Sequence, residues 1–182
     1  TASGTHTNDV PALDEDQMIA AMGYGLCKVV GWYNDGQRLL VMAQTQEGKH
    51  VFAALPCGVG KTQSILAPAI AEMYAGRPVR TRIYVPNHSY LADHQANMIR
   101  RSLGQHGKHI TVGVYHGYNI GKELPESLQV QSVALPSIII LSFKALANLV
   151  TLHPGTVQSW VDSGDLAGFY LDEVQGLMSE HN

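Results

Sequence analysis

Five short apolar runs, separated by stretches with helical spacing, constrain the fold more than any other feature of this chain. They are Val51–Leu55, Arg82–Val85, Ile110–Tyr115, Ser137–Ser142 and Gly168–Leu171. Each is close to continuously apolar, the pattern of strands buried on both faces. Between them, helices are predicted over Lys61–Ala75, Ser89–Leu103 and Lys144–Thr151, with a shorter one near Thr156–Asp162. Strands alternating with helices predict an α/β fold, doubly wound, with a mainly parallel sheet covered on both sides. Upstream, Asp14, Glu15 and Asp16 precede Met18, Ile19, Met22 and Leu26, an acidic start followed by helical spacing. A second helix is predicted from Asp35 to about Gln46. The polar stretch Thr1–Leu13 reads as a flexible leader, which leaves 14–182 as a single domain.

Composition narrows the class. With 45% hydrophobic and 15% charged residues over 182 positions, the chain is globular and not disordered. A net charge of −3 gives no broad basic surface for nucleic acid, although it leaves room for a local basic groove. The nine histidines form no metal pattern with the two cysteines, Cys27 and Cys57. A Cys27–Cys57 disulfide would restrict the glycine-rich loop holding Cys57, so free thiols in a reducing, intracellular compartment are expected. No apolar run reaches the ~18 residues of a membrane helix, and the start lacks a signal-peptide layout. The absence of an initial Met, and an end at Asn182 soon after an acidic motif, read as a piece of something larger.

The first apolar run leads into Pro56, Cys57, Gly58, Val59, Gly60, Lys61, Thr62 and Gln63, and a predicted helix follows. This is the layout of a phosphate-binding loop. Gly58 and Gly60 allow a tight turn that points backbone N–H groups at phosphate oxygens. The helix N-terminus adds partial positive charge. Lys61 is placed to reach β- and γ-phosphates, and the Thr62 hydroxyl to ligate Mg2+. A chance Gly-Lys-Thr rarely falls between an apolar strand and a helix with a second glycine two residues earlier.

Such a loop needs a carboxylate at the end of a neighbouring strand. Asp172 and Glu173 follow the run Gly168–Leu171. Asp172 suits the metal and Glu173 suits polarising an attacking water. By itself, an Asp-Glu pair after a strand is often a solvated turn; the loop upstream favours the catalytic reading.

With these motifs together, the chain resembles the first RecA-like domain of superfamily 2 helicases and translocases. Asp172-Glu173-Val174-Gln175 is similar to their motif II, and Leu55–Thr62 to their motif I, with Leu55 at the usual first glycine and Cys57 where Thr is commoner. The apolar residue and proline before the loop are closest to the RecQ-like branch. Gln37, about two dozen positions before Lys61, is similar to the family's adenine-reading glutamine; its amide can donate to and accept from one base edge. An ordinary surface glutamine is the other reading, and Gln17 fits the spacing poorly. Pro86, Asn87 and His88 resemble motif Ia, which grips nucleic-acid backbone, and Ser142 the Ib position; a proline after a strand also commonly just starts a helix. Arg100 and Arg101 suit either phosphate contacts or a solvated helix face.

The resemblance implies ATP and Mg2+ as ligands and nucleic acid as partner, DNA ahead of RNA. It also implies a second RecA-like domain of the same protein, carrying an arginine finger. Another phosphate-loop motor of packaging or AAA type, and a non-catalytic nucleotide switch, remain the alternatives.

Overall fold

The computed structural model describes residues 35–44, 50–56, 60–130, 132 and 134–174. The expected leader, the helix after Asp14, both cysteines, Gly58, Val59 and Gln175 lie outside them.

Four parallel strands form one sheet: β1 (Thr81–Val85), β2 (Val112–Tyr115), β3 (Ile138–Leu141) and β4 (Leu166–Leu171), in the order β2-β3-β1-β4. Parallel neighbours need crossovers; α-helices supply those after β1 and β3, while β2 and β3 are joined through residues 116–137 with a short 3-10 turn at Glu126–Leu128. Helix α1 (Asp35–Gln44) comes first, followed by α2 (Lys61–Ser64) and α3 (Leu66–Tyr74). Helix α4 (Leu91–Leu103) joins β1 to β2, while α5 (Phe143–Leu152) and α6 (Pro154–Asp162) join β3 to β4.

The pleat divides the core in two. Tyr84, Ile138 and Ile140 project to one face, where Ile70 of α3 and Ala96 and Ile99 of α4 cover them. Ile83, Val85, Ile139 and Leu141 project to the other, under Ala145 and Leu149 of α5 and Trp160 of α6. Helices therefore cover both faces, as the apolar runs predict.

Arg82 is fully buried on the first face, where its guanidinium donates to both carboxylate oxygens of Glu72 on α3, at 3.0 and 2.8 Å. Arg80 adds its backbone N–H and its Nε to the same carboxylate, each at 3.0 Å. Burial pushes the Glu72 pKa up, but the hydrogen bonds and charge of Arg82, then of Arg80, outweigh it and hold the group below its usual value.

Two expectations change. The helix predicted over Lys61–Ala75 is broken at Ile65 into α2 and α3. Pro68 explains the break, since it cannot donate to the Ser64 carbonyl and its ring crowds that group. The Ser64 hydroxyl turns back onto the Lys61 carbonyl. The strand predicted at Val51–Leu55 is not formed: residues 50–56 have no regular structure, and Phe52 is 87% exposed. Apolar composition gives such a run a reason to be buried, but a strand also needs a neighbouring backbone to pair with, and among the described residues it has none. No helix among the described residues is long and apolar enough to cross a membrane.

Candidate functional site

The carboxyl ends of β1 and β4 lie side by side, with Tyr84 opposite Tyr170 and Val85 opposite Leu171. In open parallel sheets this edge is where ligand crevices form. Asp172 prolongs the pairing, its backbone N–H donating to the Val85 carbonyl at 3.0 Å. The same alternation that puts Tyr84 and Tyr170 on the α3/α4 face carries Asp172 there too. The Tyr84 hydroxyl donates to Asp172 Oδ2 at 2.7 Å. Burial, and then the bond to Asp172, push the Tyr84 pKa above the usual phenol value, so the hydroxyl remains a donor at neutral pH.

Glu173 follows in the left-handed region, at φ 50°, the one non-glycine residue there among those described. Such a conformation is costly for a glutamate and persists where the surroundings hold it. Asn87, just past β1, contributes to that hold: its side-chain amide donates to Glu173 Oε2 at 3.0 Å. The end of β1 thus reaches both acids.

Lys61 and Thr62 begin α2, directly after Gly60 at φ 81°. The left-handed φ is what favours glycine here, and a Cβ at Gly60 would stand 2.7 Å from Gln37 Nε2, so a larger residue would also displace the end of that side chain. Gln37 is buried on α1 and lays its amide against this end of the loop. Thr62 and Tyr84 line the same cavity as Asp172 and Glu173. Loop and acid pair therefore meet at one place. They open onto a trough of about 1070 Å³ lined by Lys61, Thr62, Asp172 and Glu173, with residues 50–55 and β4 along its length.

The other expected site residues are distributed as follows. Pro56 is exposed at the start of the loop and Gln63 half-buried on α2, while Cys57, Gly58, Val59 and Gln175 lie outside the described residues. Pro86 is buried, and His88 is exposed and stacked on Tyr90, ring centroids 5.3 Å apart. Ser142 is buried and caps α5, its hydroxyl accepting from the Ala145 N–H at 3.1 Å. Arg100 and Arg101 are exposed late in α4, spending donors on the Val112 and Asn97 carbonyls.

Sequence reasoning missed Tyr84, and also the bond from Asn87 to Glu173. A signal existed for the first: Tyr84 is a polar-tipped residue in a buried strand, with the parity that faces a carboxylate beyond the end of a parallel neighbour.

Chemically, the site offers hard oxygen donors, the Thr62 hydroxyl and the Asp172 carboxylate, which suit Mg2+ with water and phosphate completing its shell. Among the described residues, no group of three or more His, Cys, Asp or Glu side chains gathers into a metal cage. No protein-family model and no curated sequence matches the chain. Fold and site define an α/β domain with a parallel sheet, a cationic helix start and an acid pair at the carboxyl edge of that sheet.

Proposed function

We propose that this chain is a RecA-like nucleotide-binding domain, the ATP-binding half of a nucleic-acid helicase or translocase that works inside the cell. The observation that carries the reading is that Lys61, Thr62, Asp172 and Glu173 line one trough. In this reading Lys61 opposes the β- and γ-phosphates, and backbone N–H groups of the loop and of α2 take the remaining oxygens. Mg2+ bound by Thr62 and Asp172 supplies charge neutralisation on the phosphates. Glu173 orients and polarises the attacking water, with Asn87 fixing one of its oxygens. Gln175 belongs to the same acidic motif. Gln37, packed on Gly60, is near enough to the loop to read an adenine edge.

Nucleic acid, DNA ahead of RNA, runs past the β1 carboxyl end, where Pro86, Asn87 and His88 turn the chain and the His88–Tyr90 stack is exposed. A second RecA-like domain closes over the nucleotide and supplies an arginine. Such a group is worth on the order of 10³–10⁵ in rate in related phosphate-loop enzymes. These 182 residues alone should therefore bind ATP with almost no turnover.

Calorimetry tests the reading. Lys61→Ala should weaken ATP binding tenfold or more, ~1.4 kcal/mol, and unchanged affinity would remove the phosphate-loop assignment. Phosphate release with and without single-stranded DNA tests the partner. Robust turnover by the 182 residues alone would instead indicate a self-sufficient ATPase.

A further inference from the structure

Tyr84 is a tyrosine where an aliphatic residue would pack a buried strand as well. It is 3% exposed, sits between Ile138 and Ile140 on one side and Tyr170 on the other in the first core, and turns its hydroxyl toward the trough. That hydroxyl donates to Asp172 Oδ2 at 2.7 Å, and the Thr62 side chain lines the same trough. Thr62 and Asp172 are the two side chains assigned to the metal.

The geometry has a consequence for both. A hydroxyl that ligates a cation presents a lone pair to it and must send its proton elsewhere. The Tyr84 oxygen can accept that proton, while its own proton goes to Asp172. The second Asp172 oxygen, Oδ1, is then left for the metal's water shell. Outer partners of this kind orient ligands and raise their basicity.

We propose that Tyr84 is a positioning residue for the metal. Its phenol links Thr62 to Asp172, so that a hydroxyl lone pair and a carboxylate oxygen converge on one divalent cation at the phosphate loop. The inference rests on the nucleotide-site reading above and deepens it: β1, which holds no part of the phosphate loop or acid motif, sets the affinity for Mg2+.

The test compares ATP binding by the 182-residue chain in Mg2+ and in EDTA, for wild type, Tyr84→Phe and Tyr170→Phe. The last deletes a neighbouring hydroxyl on the same face and serves as control. Phe keeps the ring and its packing, so ATP affinity in EDTA should stay within about twofold. The gain in affinity brought by Mg2+ should fall about tenfold, the lower end for loss of an outer metal partner. Half-saturating Mg2+ should rise to match, and Tyr170→Phe should follow wild type. A merely structural tyrosine would change both conditions alike. An unchanged Mg2+ gain in Tyr84→Phe, or an equal loss in Tyr170→Phe, overturns the inference and leaves the nucleotide site standing. Wild type that binds no ATP in either condition overturns both. Should Tyr84→Phe fail to fold, wild type decides: Mg2+ added to its ATP complex should produce a tyrosine difference absorbance, and a flat spectrum overturns the inference.

Discussion

Val51–Leu55 and Ile138–Leu141 read alike in the sequence, two short apolar runs each followed by a helix, yet the structure treats them in opposite ways. Ile138–Leu141 is β3, paired on one side with β1 and on the other with β2, and all four residues are fully buried. Val51–Leu55 forms no strand, and Phe52 stands in solvent in the lining of the trough that β4 also borders. Composition is not what separates them. Ile138–Leu141 has backbone partners on both edges and helices over both faces, whereas residues 50–56 have neither among the described residues. Pairing and burial thus hold the described sheet firmly at its centre and less firmly at the margin that carries the candidate site.

That contrast can be broken from the centre outwards. The largest loss should come from Glu72→Gln, which leaves the buried Arg82 guanidinium without its counter-charge. Breaking a buried pair from one side costs about 3–5 kcal/mol, and urea unfolding should show it. The pH dependence follows from the lowered Glu72 pKa. The unfolded carboxyl binds its proton more readily than the folded one, so the contribution is complete above the ordinary glutamate range and is lost as pH falls through the folded value. Wild type should therefore lose thermal stability more steeply with acid than Glu72→Gln; parallel curves would show that the pair contributes nothing pH-linked.

Ile140→Ala should come next. It removes most of a fully buried side chain between β1 and β2, a change that costs about 2–5 kcal/mol in cores. A loss under about 1 kcal/mol would mean that the site collapses around the cavity.

Ser142→Ala is smaller, about 1 kcal/mol, the usual cost of losing an N-cap. The variant also addresses the motif Ib expectation. A capping serine changes stability and leaves polynucleotide binding alone, so weaker DNA binding at unchanged stability would restore the contact role.

The sequence carried the sheet's interior because burial on both faces leaves a direct trace, an unbroken apolar run. Four of the five expected strands form, and the helices on both faces follow from the spacing between them. Lys61, Thr62, Asp172 and Glu173 stand out in the sequence by their fixed local spacing, and the fold brings all four to the lining of one trough. The break at Ile65 was legible in principle from Pro68. What could not be read were relations between distant positions: Tyr84 with Asp172, Asn87 with Glu173, Glu72 with Arg82. Each depends on which strands or helices become neighbours, and the order β2-β3-β1-β4 is not written in any one stretch of chain.

The smallest expected effect is the most informative about the margin. Phe52 carries the largest apolar side chain of its run and is 87% exposed. Phe52→Ala therefore removes surface that is already in water, and exposed positions of this kind stay within about 0.5 kcal/mol. A phenylalanine packed in a core would cost about 3–5 kcal/mol instead. The two outcomes are well separated, so one urea titration of each protein distinguishes them. A near-zero change keeps the contrast with β3 as described, a run with strand composition and no partner. A loss of several kcal/mol would mean that Val51–Leu55 is buried in solution, and the trough beside β4 would then be partly filled by the chain itself. The nucleotide reading depends on that difference. In the proposed reading phosphates would approach Lys61 through this trough, so a Phe52 buried within it would have to move before ATP could enter, and Phe52→Ala would then tighten ATP binding while weakening the fold.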